Sequence, residues 1–101
     1  MALKVRLDAQ AKRDLLEIRS HLIQHAGITV AERVREHLRQ RINRLRDLPL
    51  MGVVTSEPAI RILPPTRYPY RIYYTLTSEA VVILHIRHTA RRDPDLDELK
   101  R

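Results

Sequence analysis

The fold turns on the stretch Pro69-Tyr70-Arg71-Ile72-Tyr73-Tyr74-Thr75-Leu76, followed after Thr77-Ser78-Glu79 by Ala80-Val81-Val82-Ile83-Leu84-His85-Ile86-Arg87. Both segments are rich in β-branched and aromatic residues, and a short polar turn separates them, so together they predict a β-hairpin. Alternation in the first strand places Tyr70, Ile72, Tyr74 and Leu76 on one face and Arg71, Tyr73 and Thr75 on the other. The first set is expected to meet the core, which leaves Arg71 and Tyr73 on an open face. The second strand is apolar on both faces as far as His85, the pattern of a central, covered strand. All four tyrosines lie between positions 68 and 74, and the chain has no Phe or Trp. The largest packing units are therefore gathered at this hairpin.

Upstream of the hairpin, Ala59-Ile60-Arg61-Ile62-Leu63 reads as a short strand broken by Pro64-Pro65, and residues 50–58 as a loop around Gly52. Further upstream the period changes to that of a helix. Ala11, Leu15, Ile18 and Leu22 recur at helical spacing after Asp8, a plausible N-cap, and Gly27 stops the run. Thr29-Val30-Ala31-Glu32 has the form of a capping box. Behind it Val34, Leu38, Ile42, Leu45 and Leu48 form the apolar stripe of a second helix, which Pro49 ends. A joint of about two residues predicts an antiparallel helical hairpin. Leu3 to Leu7 alternates apolar with basic and reads as a strand. The predicted order is β-α-α-β-β-β. It implies an α+β fold in which the N-terminal strand and the helical hairpin pack on one face of a mostly antiparallel sheet. Residues 1–101 form a single domain, and 93–101, opening with the acidic run Asp93 to Glu98, form a flexible tail.

The totals narrow the chemistry. A chain of 101 residues makes one domain with a modest core. It has no cysteine, so disulfide and thiolate chemistry are excluded. No window approaches the roughly 18 apolar residues of a membrane span, and the N-terminus lacks the apolar stretch of a signal peptide, so a cytoplasmic protein is expected. The net charge is +7, and Lys4, Lys12 and Lys100 are the only lysines beside many arginines. Such a field favours nucleic acid, an acidic protein surface or an acidic peptide as partner.

Arg71, Arg87, Arg91 and Arg92 gather at one end of the hairpin in sequence and are candidates to hold a phosphate or carboxylate. Tyr73, on the expected open face, is the tyrosine placed to stack or touch a partner. His85 and His88 carry imidazoles, the side-chain type best suited to proton transfer under physiological conditions. Metal-free RNA cleavage would need a base, an acid and cations, and one of these histidines would have to move the proton, since arginine does not deprotonate. The alternative is a structural histidine that ends a strand and bonds the neighbouring loop. That is favoured here, because residues 93–101 offer no Tyr or His as a second proton carrier. His21 and His25 stand four apart on a helix, but no third ligand is near, so neither a metal nor a cofactor is expected. The arginines of the second helix surround it and read as solvated surface.

The element order, the Leu48-Pro49-Leu50-Met51-Gly52 loop, Tyr70-Arg71-Ile72-Tyr73-Tyr74 and the run from Val82 to Arg91 together resemble the ParE/RelE superfamily of type II toxins over nearly the whole chain. The resemblance implies a toxin, in systems associated with plasmid stabilisation, that is neutralised by a cognate antitoxin within a hetero-oligomer. Two activities are implied by its branches. A RelE-like member cleaves mRNA on the ribosome, and Arg71, His88 and Arg91 would then be the catalytic positions. A ParE-like member inhibits DNA gyrase by protein binding, with no assigned catalytic residues; Arg71, Tyr73, Arg87, Arg91 and Arg92 are then the partner-binding candidates. The His88-Thr89-Ala90-Arg91-Arg92 ending and the scarcity of lysines near the hairpin resemble the ParE branch more closely.

Overall fold

Strand β1 (Lys4–Leu7) runs directly into helix α1 (Ala9–Ala26), with Asp8 extended at the junction. The Asp8 carbonyl accepts the first helical bond from Lys12, and its amide bonds the Ile83 carbonyl. The computed structural model describes residues 2–99. Helix α2 (Ile28–Arg44) follows α1 after one residue, Gly27. Gly27 has φ 92°, a conformation that a side chain would strain. Its amide closes α1 on Leu22 and Ile23, and its carbonyl opens α2 by accepting the Ala31 amide. The expected two-residue joint with a Thr29 cap is therefore corrected. One glycine completes the reversal, and Thr29 sits inside the first turn of α2.

The apolar stripe of α2 buries Val34, Leu38, Ile42 and Leu45, but Leu48 is 48% exposed. The helix ends at Arg44, ahead of Pro49, and the turn over 45–47 swings Leu48 out of line. Four further strands follow: β2 (Val53–Val54), β3 (Arg61–Leu63), β4 (Tyr70–Leu76) and β5 (Ala80–His88). Strand β2 falls in the segment expected to be a loop. The sheet order is β1-β5-β4-β3-β2, antiparallel except where β1 runs parallel to β5. Among the described residues no helix is long and apolar enough to cross a membrane.

Both faces of this sheet are covered. The helices lie on the first face, where Tyr70, Ile72, Tyr74, Val81, Ile83 and Ile86 meet Val34, Leu38 and Ile42. On the second face Ile60, Tyr73, Ala80, Val82 and Leu84 form a smaller apolar cluster. The C-terminal segment, expected to be loose, is laid against that cluster: a short 3-10 turn, Leu96–Leu99, sets both leucines on it. Residues 100 and 101 of the expected tail lie outside the described residues. Tyr73 is consequently 1% exposed, which corrects its expected place on an open face. Alternation assigned its face correctly but could not show what covers that face.

Strand β5 also carries an irregularity. Tyr73 pairs with His85 but Tyr74 pairs with Ile83, so Leu84 is an extra residue on β5. A bulge of this kind breaks the period of two. Ile83 and Ile86 stay on the helix face, while His85 joins Leu84 on the second face beside Tyr73.

Candidate functional site

Strand β1 covers β5 only as far as the pair Leu7–Ile83. Beyond Ile83 the outer edge of β5 has no strand neighbour among the described residues. There α1 supplies a side chain instead. The Asp14 carboxylate is buried and accepts from the Ile86 amide (2.9 Å) through Oδ2, from the His85 ring Nδ1 through the same oxygen, and from Gln10 Nε2 (2.8 Å) through Oδ1. Burial alone would raise the Asp14 carboxyl pKa. The hydrogen bonds from His85, Ile86 and Gln10 more than offset that, and the net shift is downward.

On the other side of the His85 ring, Arg87 Nη1 lies 3.1 Å from Nε2. A guanidinium can only donate. The geometry therefore assigns the ring: Nε2 accepts from Arg87, and Nδ1 carries the hydrogen that Asp14 takes. The expected loop partner of His85 is corrected: the ring bonds Asp14 on helix α1 and Arg87 on its own strand. Asp14, His85 and Arg87 form one chain of hydrogen bonds from the helix layer through the edge of the sheet to its second face. Sequence reasoning missed Asp14. The signal was present, since Asp14 falls three residues after Ala11 and next to Leu15, within the buried stripe of α1.

The second face brings four of the five candidate partner-binding residues together. Arg71 and Arg87 are direct cross-strand neighbours, and Arg87 and Arg92 line one cleft with His85 and Asp93. The Asp93 carboxylate accepts from Arg71 Nη1 and from the Tyr73 hydroxyl, each at 3.3 Å. Burial, and after it the charge of Asp93, push the Tyr73 phenol above its usual pKa, so it remains a donor. Arg87 Nε is buried and has no hydrogen-bond partner among the described residues. The chain's own acidic segment thus occupies the basic face that the sequence offered to a partner.

Arg91 is elsewhere. It lines a cleft on the helix side with Glu17, His21, Tyr70 and His88. His88 pairs across the strands with Tyr70, their rings edge to face at 5.3 Å, and its Nδ1 accepts the Ala90 amide. The trio Arg71, His88 and Arg91 is not brought together: the sheet lies between Arg71 on one face and the other two on the opposite face. His21 and His25 stack ring on ring at 4.2 Å.

Two further features border the site. The Tyr74 hydroxyl accepts the Gly52 amide and donates to the Pro49 carbonyl, both at 2.8 Å, which pins the Leu48–Gly52 loop to the sheet. A Cβ on residue 52 would stand 2.5 Å from that hydroxyl oxygen, so the approach requires glycine. Between the two helices a groove lined by Leu15, Ile18 and Leu38 also carries Arg19, Arg35 and Leu16, the last 66% exposed.

Comparison with known proteins places this geometry. Residues 5–93 match the family model described as the ParE toxin of the type II toxin-antitoxin system parDE. The fold is similar to the chromosomal ParDE system from P. aeruginosa, at TM-score 0.76 and 19% identity over 86% of this chain and 96% of that one. It is also similar to a chain of the RelBE2 toxin-antitoxin complex from Mycobacterium tuberculosis (TM-score 0.65, 21% identity, 87% and 99% covered). A mutant of the E. coli toxin RelE in the free state matches at TM-score 0.66 and 14% identity, with 98% and 90% covered. No curated protein matches the chain in sequence.

Proposed function

Because this chain belongs to the ParE toxin family of type II toxin-antitoxin systems, we propose that it acts by binding a protein target, DNA gyrase, and that a cognate antitoxin neutralises it. The observation that carries the choice of binding over cutting is the separation of Arg71 from His88 and Arg91 by the sheet. Acid-base cleavage of RNA needs its proton carriers and cations around one phosphate. Here His85, which shares the second face with Arg71, is held between Asp14 and Arg87, its Nε2 lone pair directed at a guanidinium. Such a histidine is placed to orient an arginine, not to take a proton from a substrate.

The antitoxin reading is supported by the groove on the helical hairpin. Its apolar lining and its arginines suit an amphipathic acidic segment, laid down as a helix with apolar anchors on one side. The net charge of +7 acts in the same sense at long range. Purified toxin is expected to block gyrase-catalysed supercoiling, and equimolar antitoxin to restore it. Ribosome-dependent cleavage of mRNA by toxin that leaves gyrase active would favour the RelE-like alternative.

A further inference from the structure

The second face of the sheet holds a basic seat that the chain fills with its own carboxylate. Arg71 Nη1 and the Tyr73 hydroxyl both reach Asp93, but each at 3.3 Å, the long end of the hydrogen-bond range. The Asp93 side chain is 72% exposed. In the same cleft Arg87 is fixed through His85 by Asp14, yet its Nε has no acceptor among the described residues. A buried donor without a partner carries a cost, so the seat has capacity for more acceptor atoms than Asp93 supplies. Beside the seat, Leu96 and Leu99 rest on the cluster of Ile60, Tyr73, Ala80, Val82 and Leu84 while remaining only partly buried. A carboxylate followed by leucines three and six residues later is thus a pattern this face accepts, and accepts loosely.

We propose that this face is a docking site for an acidic, leucine-bearing segment of a partner protein, and that residues 93–99 are a strap which that segment displaces. The incoming carboxylate takes the place of Asp93 between Arg71 and Tyr73 and adds an acceptor for Arg87 Nε. Its apolar side chains take the places of Leu96 and Leu99. The strap competes through its tethering, because a tethered segment acts at an effective concentration of order millimolar. A partner must therefore make contacts the strap does not, and the free Arg87 donor offers one. This rests on reading the chain as a toxin that works by protein binding, and it concerns a face distinct from the helical groove.

The test uses the full chain and a peptide carrying the sequence of residues 93–99, followed by NMR titration. In the double variant Leu96→Ser/Leu99→Ser the strap is released, and the peptide is expected to bind at least about tenfold more tightly than to the parent chain, the gain that removing a tethered competitor gives. Adding Arg71→Ala should abolish that gain. If the double variant fails to fold, Asp93→Asn keeps the leucines and is expected to show a smaller gain of the same kind. Equal peptide binding by the parent chain and the released variants overturns the proposal, as does a gain that survives Arg71→Ala. A single-stranded RNA oligonucleotide is titrated in parallel. Binding of the RNA and not the peptide to the released variant would give the face to nucleic acid and also overturn it. Neither readout depends on gyrase, so a failed strap and a failed gyrase assignment are told apart.

Discussion

The Asp14 carboxylate and the His85 ring, 71 residues apart in sequence, are joined by a buried hydrogen bond at the place where β1 stops covering β5. The same carboxylate oxygen takes the Ile86 amide, which would otherwise be an orphan at the edge of the sheet. A side chain thus completes a strand edge, and the His85 ring passes that anchor on to Arg87.

Removing this anchor should be costly. Asp14→Ala leaves the Ile86 amide and the His85 ring without their acceptor in a buried setting, and is expected to destabilise the fold by about 3 kcal/mol. Arg71→Ala breaks only the exposed pair with Asp93 and should cost less than about 1 kcal/mol. Urea denaturation of the two variants checks the contrast. Comparable losses would mean that Asp14 does not anchor the edge.

The pH dependence has a definite sign. The folded pKa of Asp14 lies below its ordinary value of 3.8. The folded state therefore favours the ionised form, and the resulting stability is fully present above the unfolded pKa and is lost as pH falls from there through the folded value. Asp14→Asn should flatten the acid limb of a stability-pH curve relative to the parent chain. Parallel acid limbs in the two proteins would contradict this assignment.

At the pinned loop, Tyr74→Phe deletes the hydroxyl that serves both Gly52 and Pro49, an expected loss of about 1–3 kcal/mol. Gly52→Ala should cost at least as much, and Tyr74→Phe should not rescue it. The added Cβ would also stand 2.6 Å from the Tyr74 Cε1, which phenylalanine retains. A double variant as stable as Tyr74→Phe alone would show that the loop yields easily.

Gly27 gives a separate backbone test. At φ 92° a Cβ meets open space, so Gly27→Ala should cost about 1–2 kcal/mol from backbone strain alone. Thermal unfolding reports it, and an unchanged midpoint would mean that the helical joint relaxes.

Antitoxin affinity should fall with ionic strength, because exposed arginines such as Arg19 and Arg35 line the groove and charges at a surface are screened. An affinity independent of salt would show that the apolar lining dominates.

Much of this architecture was legible in the sequence. Period-two alternation gave the correct faces for Tyr70, Ile72, Tyr73 and Tyr74, and helical spacing gave Ala11 and the stripe from Val34 to Leu45. Other features were hidden for physical reasons. The bulge at Leu84 leaves no compositional mark, yet it decides which way His85 points. The fate of the C-terminal segment depends on two leucines among acidic residues, a pattern that reads as solvated until Tyr73 and its neighbours provide a surface for it. The four arginines expected at one end of the hairpin were divided because the chain leaves β5 at His88, and Arg91 turns to the helix side while Arg92 lines the second face. Asp14 was visible only as a charge out of place on an apolar stripe, and its partner is 71 positions away.

Binding and cutting are separated most directly by a supercoiling titration of DNA gyrase with the purified chain, run beside a ribosome-dependent mRNA cleavage assay on the same preparation. A gyrase-binding toxin gives dose-dependent loss of supercoiling that the cognate antitoxin reverses, with the mRNA left intact. Undiminished supercoiling together with cleaved mRNA would contradict gyrase binding.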